Sequence, residues 1–375
     1  MVTSAQLAQI AKQAAAAADF DLAGVASVRA EDLPELEAFP EWIEAGHAGE
    51  MKYLEKRTDT GKLRRASLQH AAPWARSVIV CAMNYNTDVP YSTEVRDPAR
   101  GWISRYALGP QDYHSSLLPR LRQVEAAVVQ AATVNYPTQE TALPEMTTAQ
   151  APAPKTWCYV DTGPVIERVY AKYAGIGWIG KNTCIIHPKL GSWVFLGVIL
   201  TSLEIAADLP APDRCGSCTR CIDACPTQAL IAPGKMDARR CIAYLTIEKR
   251  GEIPEEFRDD VGHQVFGCDI CQDVCPWNNK SGNAPAATTL EFQASERLVH
   301  PELAWLAGMT QEEFSQTFRG SPVKRTKFSG MKRNVAVAMG NSGNREFLPA
   351  LERLAADQDA TVAEHARWAI EKIRR

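Results

Sequence analysis

Cys215-Gly-Ser-Cys218-Thr-Arg-Cys221-Ile-Asp-Ala-Cys225-Pro226 constrains this chain more than any other stretch, and Cys268-Asp-Ile-Cys271-Gln-Asp-Val-Cys275-Pro276 answers it about forty residues later. The first run reads C-x2-C-x2-C-x3-C-P, a spacing in which three thiolates hold one iron-sulfur cluster and the fourth ligates its neighbour. Two 4Fe-4S clusters need eight thiolates. The runs supply seven, and Cys241 between them is the eighth. Crossed ligation assigns Cys215, Cys218, Cys221 and Cys275 to one cluster, and Cys225, Cys241, Cys268 and Cys271 to the other. Structural zinc is the competing reading. Closed tetrahedral zinc sites are built from separated cysteine pairs, whereas here the third cysteine follows after only two residues. Two neighbouring clusters form an electron wire, so the rest of the chain must hold what the wire feeds.

At 375 residues with 46% hydrophobic side chains, the chain can bury one large core plus satellites, which predicts two or three domains. A net charge of -3 excludes bulk polyanion binding and leaves room for local basic patches. The sequence shows no export signal, no lipidation box and no apolar run long enough to span a bilayer. A reducing cytoplasm is therefore expected, where eleven cysteines point to metal or redox chemistry. Cys81, Cys158 and Cys184 fall outside the cluster runs and read as small buried apolar residues.

Ser4 is expected to cap a first helix, and Leu22–Val28 and Ser77–Met83 read as strands, so helix and strand alternate as in an α/β layer. Arg105 to His114 is a polar, aromatic stretch before a helix predicted from about Ser115 to Val129. A functional loop and a merely packed one, with Tyr106 and Tyr113 as filler, fit it equally. Tyr136 to Lys155 reads as an exposed insertion. After a strand at Trp157–Val160, Pro164 is placed to open a helix. Asp161 then lies either where α/β sheets put their ligands or at the cap of that helix, and position alone leaves both open. The glycines 175, 177 and 180 before Lys181-Asn182-Thr183 suit a closely approaching ligand, but a helix precedes them, which excludes a dinucleotide fingerprint. From Ala304 the pattern is helical. Arg333–Gly340 and Ala363–Ile370 recur at a spacing of about thirty residues, which suits HEAT-like helix pairs. Lys324, Arg325, Lys327, Lys332 and Arg333 form a basic cluster that reads as a solvated face or as a phosphate site.

Together these motifs resemble the epoxyqueuosine reductase family. The resemblance runs through Gly49-Glu-Met51 with Arg57, Ser104-Arg-Tyr-Ala-Leu-Gly109 with Asp112-Tyr-His114, and Val160-Asp-Thr-Gly-Pro164. It continues through Gly177-Trp-Ile-Gly-Lys181, the cysteine module with Asp237-Ala-Arg-Arg-Cys241, and Arg333-Asn-Val-Ala-Val-Ala-Met-Gly-Asn341. The insertion and Pro110-Gln111, where an Arg is usual, depart from the family pattern.

The resemblance implies an α+β chain in three parts. These are a nitroreductase-related α/β cobalamin-binding domain over 1–206, a ferredoxin-like module with two 4Fe-4S clusters over 207–285, and a HEAT-like, tRNA-binding helical tail over 286–375. It implies reduction of the epoxide of epoxyqueuosine at the tRNA wobble position to queuosine, by reduced cobalamin fed from the clusters. Asp161 becomes the proton donor, since a carboxyl desolvated beneath a corrin can hold a proton near neutrality. Arg57, Asp161, Lys181, Asn182, Thr183 and Ser192 become candidate cobalamin contacts, and Tyr106 and His114 candidates for positioning the base. Lys324, Arg325, Lys327, Lys332 and Arg333 become tRNA phosphate contacts. No D-x-H-x-x-G stretch offers cobalt a histidine, so a base-off corrin is expected. An external flavodoxin or ferredoxin system would supply electrons to a monomer that has no membrane partner. The rival readings are a reductive dehalogenase-like cobalamin enzyme and a ferredoxin-type carrier without catalysis of its own.

Overall fold

In the computed structural model, residues 2–29, 33–134, 153–279 and 284–375 are described. The insertion expected at 136–155 lies outside them apart from 153–155. Ten strands are present among the described residues: β1 (Leu22–Ser27), β2 (Ser77–Asn84), β3 (Trp102–Ile103), β4 (Thr156–Tyr159), β5 (Trp178–Ile179), β6 (Ile185–Ile186), β7 (Val194–Thr201), β8 (Leu230–Ala232), β9 (Lys235–Met236) and β10 (Gln264–Phe266). All eight side chains of β2 are buried. Successive side chains of a strand point to opposite faces, so both faces of the sheet must be covered.

One face carries the helices Ser4–Ala17 and Tyr113–Val134. Leu7, Ala11, Leu117, Leu121 and Val124 meet Ile79, Cys81 and Met83 there. On the other face Val169, Tyr170 and Ala171 of the helix Glu167–Tyr173 join Val78, Val80 and Ala82. The main sheet runs β1-β2-β7-β4, with every neighbouring pair antiparallel. Gly197 in β7 lets the helix Tyr113–Val134 settle on the sheet, because a Cβ there would lie 2.7 Å from Leu121 Cδ1. The first helix is capped by Thr3, in a capping box with Gln6, one residue before the expected Ser4.

In the cysteine module β10 pairs in parallel with β3, in a two-stranded sheet apart from the main one. Asp237 caps only the short turn Ala238–Arg240, and Cys241 is the N-cap of the helix Ile242–Ile247. Beyond it come the helices Leu303–Gly308, Gln311–Thr317, Lys327–Ser342, Leu348–Ala355 and Ala360–Arg374. Their core of Val335, Met339, Leu351, Val362 and Ala366 continues into Ile103, Leu108, Val265 and Phe266. The tail and the β3–β10 pair thus share one apolar core. Among the described residues no helix is long and apolar enough to cross a membrane.

Two members of the basic cluster are not where a phosphate could reach them. Arg333 is 1% exposed. It donates to the carbonyls of Lys249 (2.9 Å), Gly251 (2.6 Å) and Leu245 (2.6 Å), and to Asn334 Oδ1. Asn334 Nδ2 in turn donates to Thr246 O and Val265 O, both at 2.8 Å. This corrects the expectation for Arg333, which fastens the tail to the cysteine module. Lys332 is paired with Asp357 and largely buried, so it too is withdrawn from the phosphate set.

Arg333→Leu leaves three carbonyls without that donor, at about 1–3 kcal/mol for each stranded group. In the cluster-loaded protein, hydrogen exchange should speed up by about a hundredfold or more across 242–251 and 327–342, since local opening is set by such ties. Protection within about threefold of wild type would show that Arg333 does not hold these segments together.

Candidate active site

Beyond β4 the chain enters a left-handed residue, Asp161, at φ +47°. Aspartate tolerates this conformation better than most side chains. The turn is closed by Thr162 N–H on Val160 O at 2.7 Å. The helix that follows starts at Glu167, with Ile166 as a cap that makes no side-chain bond. It begins three residues later than Pro164 because Val165 is drawn into the core first. Asp161 is therefore not its cap.

Asp161 Oδ1 lies 2.8 Å from His114 Nε2, and Oδ2 accepts the Tyr113 hydroxyl. His114 Nδ1 lies 2.6 Å from Asp112 Oδ1, which also accepts the His114 backbone N–H at 3.0 Å. Tyr113 and His114 form the first turn of the helix Tyr113–Val134, so their directions are set by a long element seated on the sheet. The Tyr113 ring stacks on Phe195 of β7, with centroids 4.3 Å apart, and on His114 at 4.2 Å. Burial alone would lower the His114 imidazole, but the hydrogen bonds to Asp112 and Asp161 outweigh it and raise it to about 9. Burial and then Asp161 push the Tyr113 phenol far up, so it remains a donor. Burial pulls the Asp112 carboxyl up, yet its bonds to His114 hold it below the usual range. The site thus keeps a proton on His114 at neutral pH, between two carboxylates.

The Asp161 side chain is 48% exposed. The left-handed turn aims it outward. Tyr106 sits on the turn Arg105–Ala107, 6.1 Å from the Tyr113 ring and 6.0 Å from Phe266. Half-buried and packed against two cores, Tyr106 backs Tyr113.

The candidate cobalamin contacts separate into two groups. Arg57 Nη1 donates to Gly61 O at 2.8 Å at the surface, and the Thr183 carbonyl accepts from Arg168 at 3.0 Å. Lys181 Nζ donates to Gly216 O at 2.7 Å, and buried Asn182 donates to Cys271 O at 3.3 Å. Ser192, 4% exposed, bonds Gln272 Oε1 and both amide atoms of Asn278. This corrects the expectation for Asn182 and Ser192, whose polar atoms are taken up in docking the cysteine module. Glu167 had no signal in the sequence beyond a first-turn acid. Its Oε1 is buried without a partner, and burial above all pushes the carboxyl up to about 7, with Asp161 and Arg65 among the charges that act on it.

Cys215, Cys218, Cys221 and Cys275 line one cavity, together with Lys181 and Trp277. Trp178 Nε1 donates to Cys215 Sγ at 3.4 Å. Cys225, Cys241, Cys268 and Cys271 are electrostatic neighbours of one another. Cys184, expected to be inert filler, bonds Cys271 beside this second group.

A family model described as a 4Fe-4S double cluster binding domain matches residues 214–278, and one described as epoxyqueuosine reductase QueG matches 65–162. The epoxyqueuosine reductase of Xanthomonas campestris is 39% identical over 332 residues, covering 88% of this chain and 86% of that protein. That of Gloeobacter violaceus is 39% identical over 344 residues, covering 91% and 97%. A crystal structure of epoxyqueuosine reductase with an epoxyqueuosine-modified tRNA-Tyr stem loop superposes with a TM-score of 0.81 at 28% identity, covering 99% of this chain and 91% of the other. With such identity spread over most of both partners' lengths, the chain belongs to the epoxyqueuosine reductase family.

Proposed function

We propose that this chain reduces the epoxide of epoxyqueuosine at the tRNA wobble position to queuosine, with Asp161 and His114 delivering protons. The observation that carries the reading is the line Asp112–His114–Asp161, which holds a proton beside a half-open carboxylate in a chain of this family. Loss of the epoxide oxygen as water, leaving a carbon–carbon double bond, takes up two electrons and two protons.

The eight thiols suit the electron side of that balance. Burial pushes the Cys275 thiol up to about 11 and raises that of Cys241, so these groups become thiolates only against a bound cation. Cys215, Cys218, Cys221 and Cys275 would hold one 4Fe-4S cluster, and Cys225, Cys241, Cys268 and Cys271 the other. A corrin would be held beside Asp161, where the unpartnered Glu167 Oε1 would take a donor such as a corrin amide. Arg57, Lys181 and Thr183 are the remaining candidates for its rim. Both ring nitrogens of His114 are engaged by Asp112 and Asp161, so this imidazole would serve the proton and would not be among the residues that hold the corrin. Bound cobalamin supplies low-valent cobalt as the reductant of the epoxide carbon–oxygen bond.

The chain's own part is the proton. Nε2 of protonated His114 faces Asp161 Oδ1, so Asp161 can pass a proton to the departing oxygen and be recharged from the imidazole. Asp112 steadies the imidazolium at Nδ1, and Tyr113 fixes the carboxylate through Oδ2. The wobble nucleotide must leave its stack to reach this site, and exposed Lys324, Arg325 and Lys327 would track nearby phosphates. At the finer level this reading takes the sheet layer as nitroreductase-related, the module as ferredoxin-like and the tail as HEAT-like. It also takes the chain as a cytoplasmic monomer fed by an external flavodoxin or ferredoxin system.

Anaerobically prepared chain supplied with cobalamin and a reductant should convert an epoxyqueuosine-containing stem-loop in a single turnover. Asp161→Asn should keep cluster absorbance and RNA affinity but slow turnover by about a hundredfold or more, the usual scale for a lost acid. An epoxide left intact by the wild type, or an undiminished rate in the variant, would overturn the reading.

His114 is raised from 6.5 to about 9 on folding. The stability it contributes is therefore complete below about 6.5 and lost as pH rises through about 9. The single-turnover rate should show an alkaline limb near 9 that His114→Gln removes. A limb that survives the substitution would assign it to another group.

Replacing Lys324, Arg325 and Lys327 together with glutamine should reduce the slope of log affinity against log salt by about 2, on the scale of nearly one counterion per phosphate contact. Equal slopes for variant and wild type would remove these side chains from the RNA interface.

A further inference from the structure

Tyr53 is the one aromatic ring among the large hydrophobic side chains that the described residues leave exposed, at 37%. It sits on the short turn Lys52–Leu54, and two guanidinium groups lie over its ring. Arg65 is 5.9 Å from the centroid and Arg325 is 5.7 Å from it. Both arginines are anchored elsewhere: Arg65 Nη1 donates to Val165 O at 3.1 Å, and Arg325 Nε donates to Glu248 Oε1 at 2.5 Å. The turn itself is clamped from behind. Glu50 accepts Lys249 Nζ at 2.5 Å and Arg250 N–H at 3.1 Å, while its own N–H donates to Tyr244 OH at 2.9 Å. Gly49, at φ +58°, brings the chain so near the Tyr244 ring that a Cβ would lie 2.5 Å from the phenol oxygen.

Three separate parts of the chain, the 49–65 segment, the cysteine module and the start of the tail, therefore meet around one presented ring. Asp161 lies in the same electrostatic neighbourhood. Burial and then Glu248 raise the Tyr53 phenol, Arg325 and Arg65 oppose them, and Asp161 adds to the rise. Asp161 also acts on Arg325.

A nucleotide drawn out of an RNA loop leaves its neighbour with one unstacked face. A rigid aromatic ring replaces that face at low entropic cost, and flanking guanidiniums add cation–π and phosphate contacts without reading sequence. We propose that Tyr53, with Arg65 and Arg325, is a stacking platform for an unpaired anticodon-loop nucleobase adjacent to the one that enters the Asp161 site. The inference rests on the proposed function and makes Tyr53 a positioning residue, acting on RNA register and not on the reacting atoms.

The test uses the full, cluster-loaded chain and a series of anticodon stem-loop RNAs, each with one loop nucleotide replaced by an abasic residue. Tyr53→Ala should weaken binding of the intact stem-loop by about five- to a hundredfold, the range for loss of one base–aromatic stack. Tyr53→Phe and Tyr53→Trp should stay within about twofold of wild type. One abasic position should weaken wild-type binding by a similar factor and cost Tyr53→Ala nothing more, because the stack is already gone. Tyr53→Ala binding as tightly as wild type, or every abasic RNA penalising both proteins equally, would overturn the platform while leaving the proposed function intact. A wild-type chain that binds no stem-loop would overturn both.

Discussion

Asp269 holds this molecule in register. It stands between Cys268 and Cys271, is 1% exposed, and accepts Trp102 Nε1 at 3.0 Å, the Ser104 hydroxyl and the Arg105 N–H at 2.7 Å. Taking a carboxyl out of water is costly unless every oxygen finds donors. Burial pushes this one up, against the pull of Ser104, Arg105 and Trp102. Asp273, one helical turn on, does the same with Ser92 N–H and hydroxyl. The cysteine run is thereby indexed to the 102–114 segment, which goes on to carry Asp112, Tyr113 and His114. Arg105 completes the frame from the other side. Its guanidinium donates to Thr87, Val89 and Pro90 carbonyls and lies 5.1 Å and 5.0 Å from the Tyr91 and Trp193 rings. The thiols and the acid group are therefore placed by one hydrogen-bonded spine, with no flexible linker between them.

That spine explains how Asp161 can be both half open and well defined. A left-handed non-glycine residue costs about 1–3 kcal/mol, and such strain persists where surrounding contacts over-determine it. Here Tyr113 and His114 supply the contacts, and both stand on a helix whose position is fixed by Gly197 and Phe195 of β7. The imidazole between two carboxylates stays charged even though it is partly buried. An acid that is open to substrate and backed by a cation is suited to repeated proton transfer, because its proton is restored from within the protein.

How much of this could be read in the sequence follows from the range of the interactions involved. The cysteine spacings lie within a few residues of each other, and the continuous buried run of β2 lies within eight, so both are visible as local patterns. The antiparallel order of the sheet is not, since β7 is flanked by β2 and β4, partners brought together only by the fold. Arg333 was misplaced for the same reason. On a helical wheel it belongs to a basic run, and only the carbonyls at 245, 249 and 251, more than eighty residues upstream, turn it inward. Ser192 and Asn182 resemble ligand-binding residues by type, but their partners Asn278, Gln272 and Cys271 lie in a module whose docking face carries no sequence signature. Glu167 is a first-turn acid in the sequence and acquires its bare oxygen only when Val165 enters the core and Arg65 bonds the Val165 carbonyl.

The same long-range ties decide what the tail can do. A cluster of surface lysines on a mobile appendage would attract RNA without orienting it, since screening confines each charge to about 8 Å at physiological salt. Here the Arg325 carbonyl accepts from Arg250 at 2.8 Å and its guanidinium donates to Glu248 in an ion pair, while Thr326 Oγ1 donates to Thr246 O at 2.8 Å. The basic turn at 322–326 is thus bolted to the helix Ile242–Ile247, whose N-cap Cys241 is itself one of the thiols. Phosphates bound at that turn would be held at a set distance from Asp161, so backbone charge, which carries no sequence information, would still contribute to which nucleotide reaches the acid.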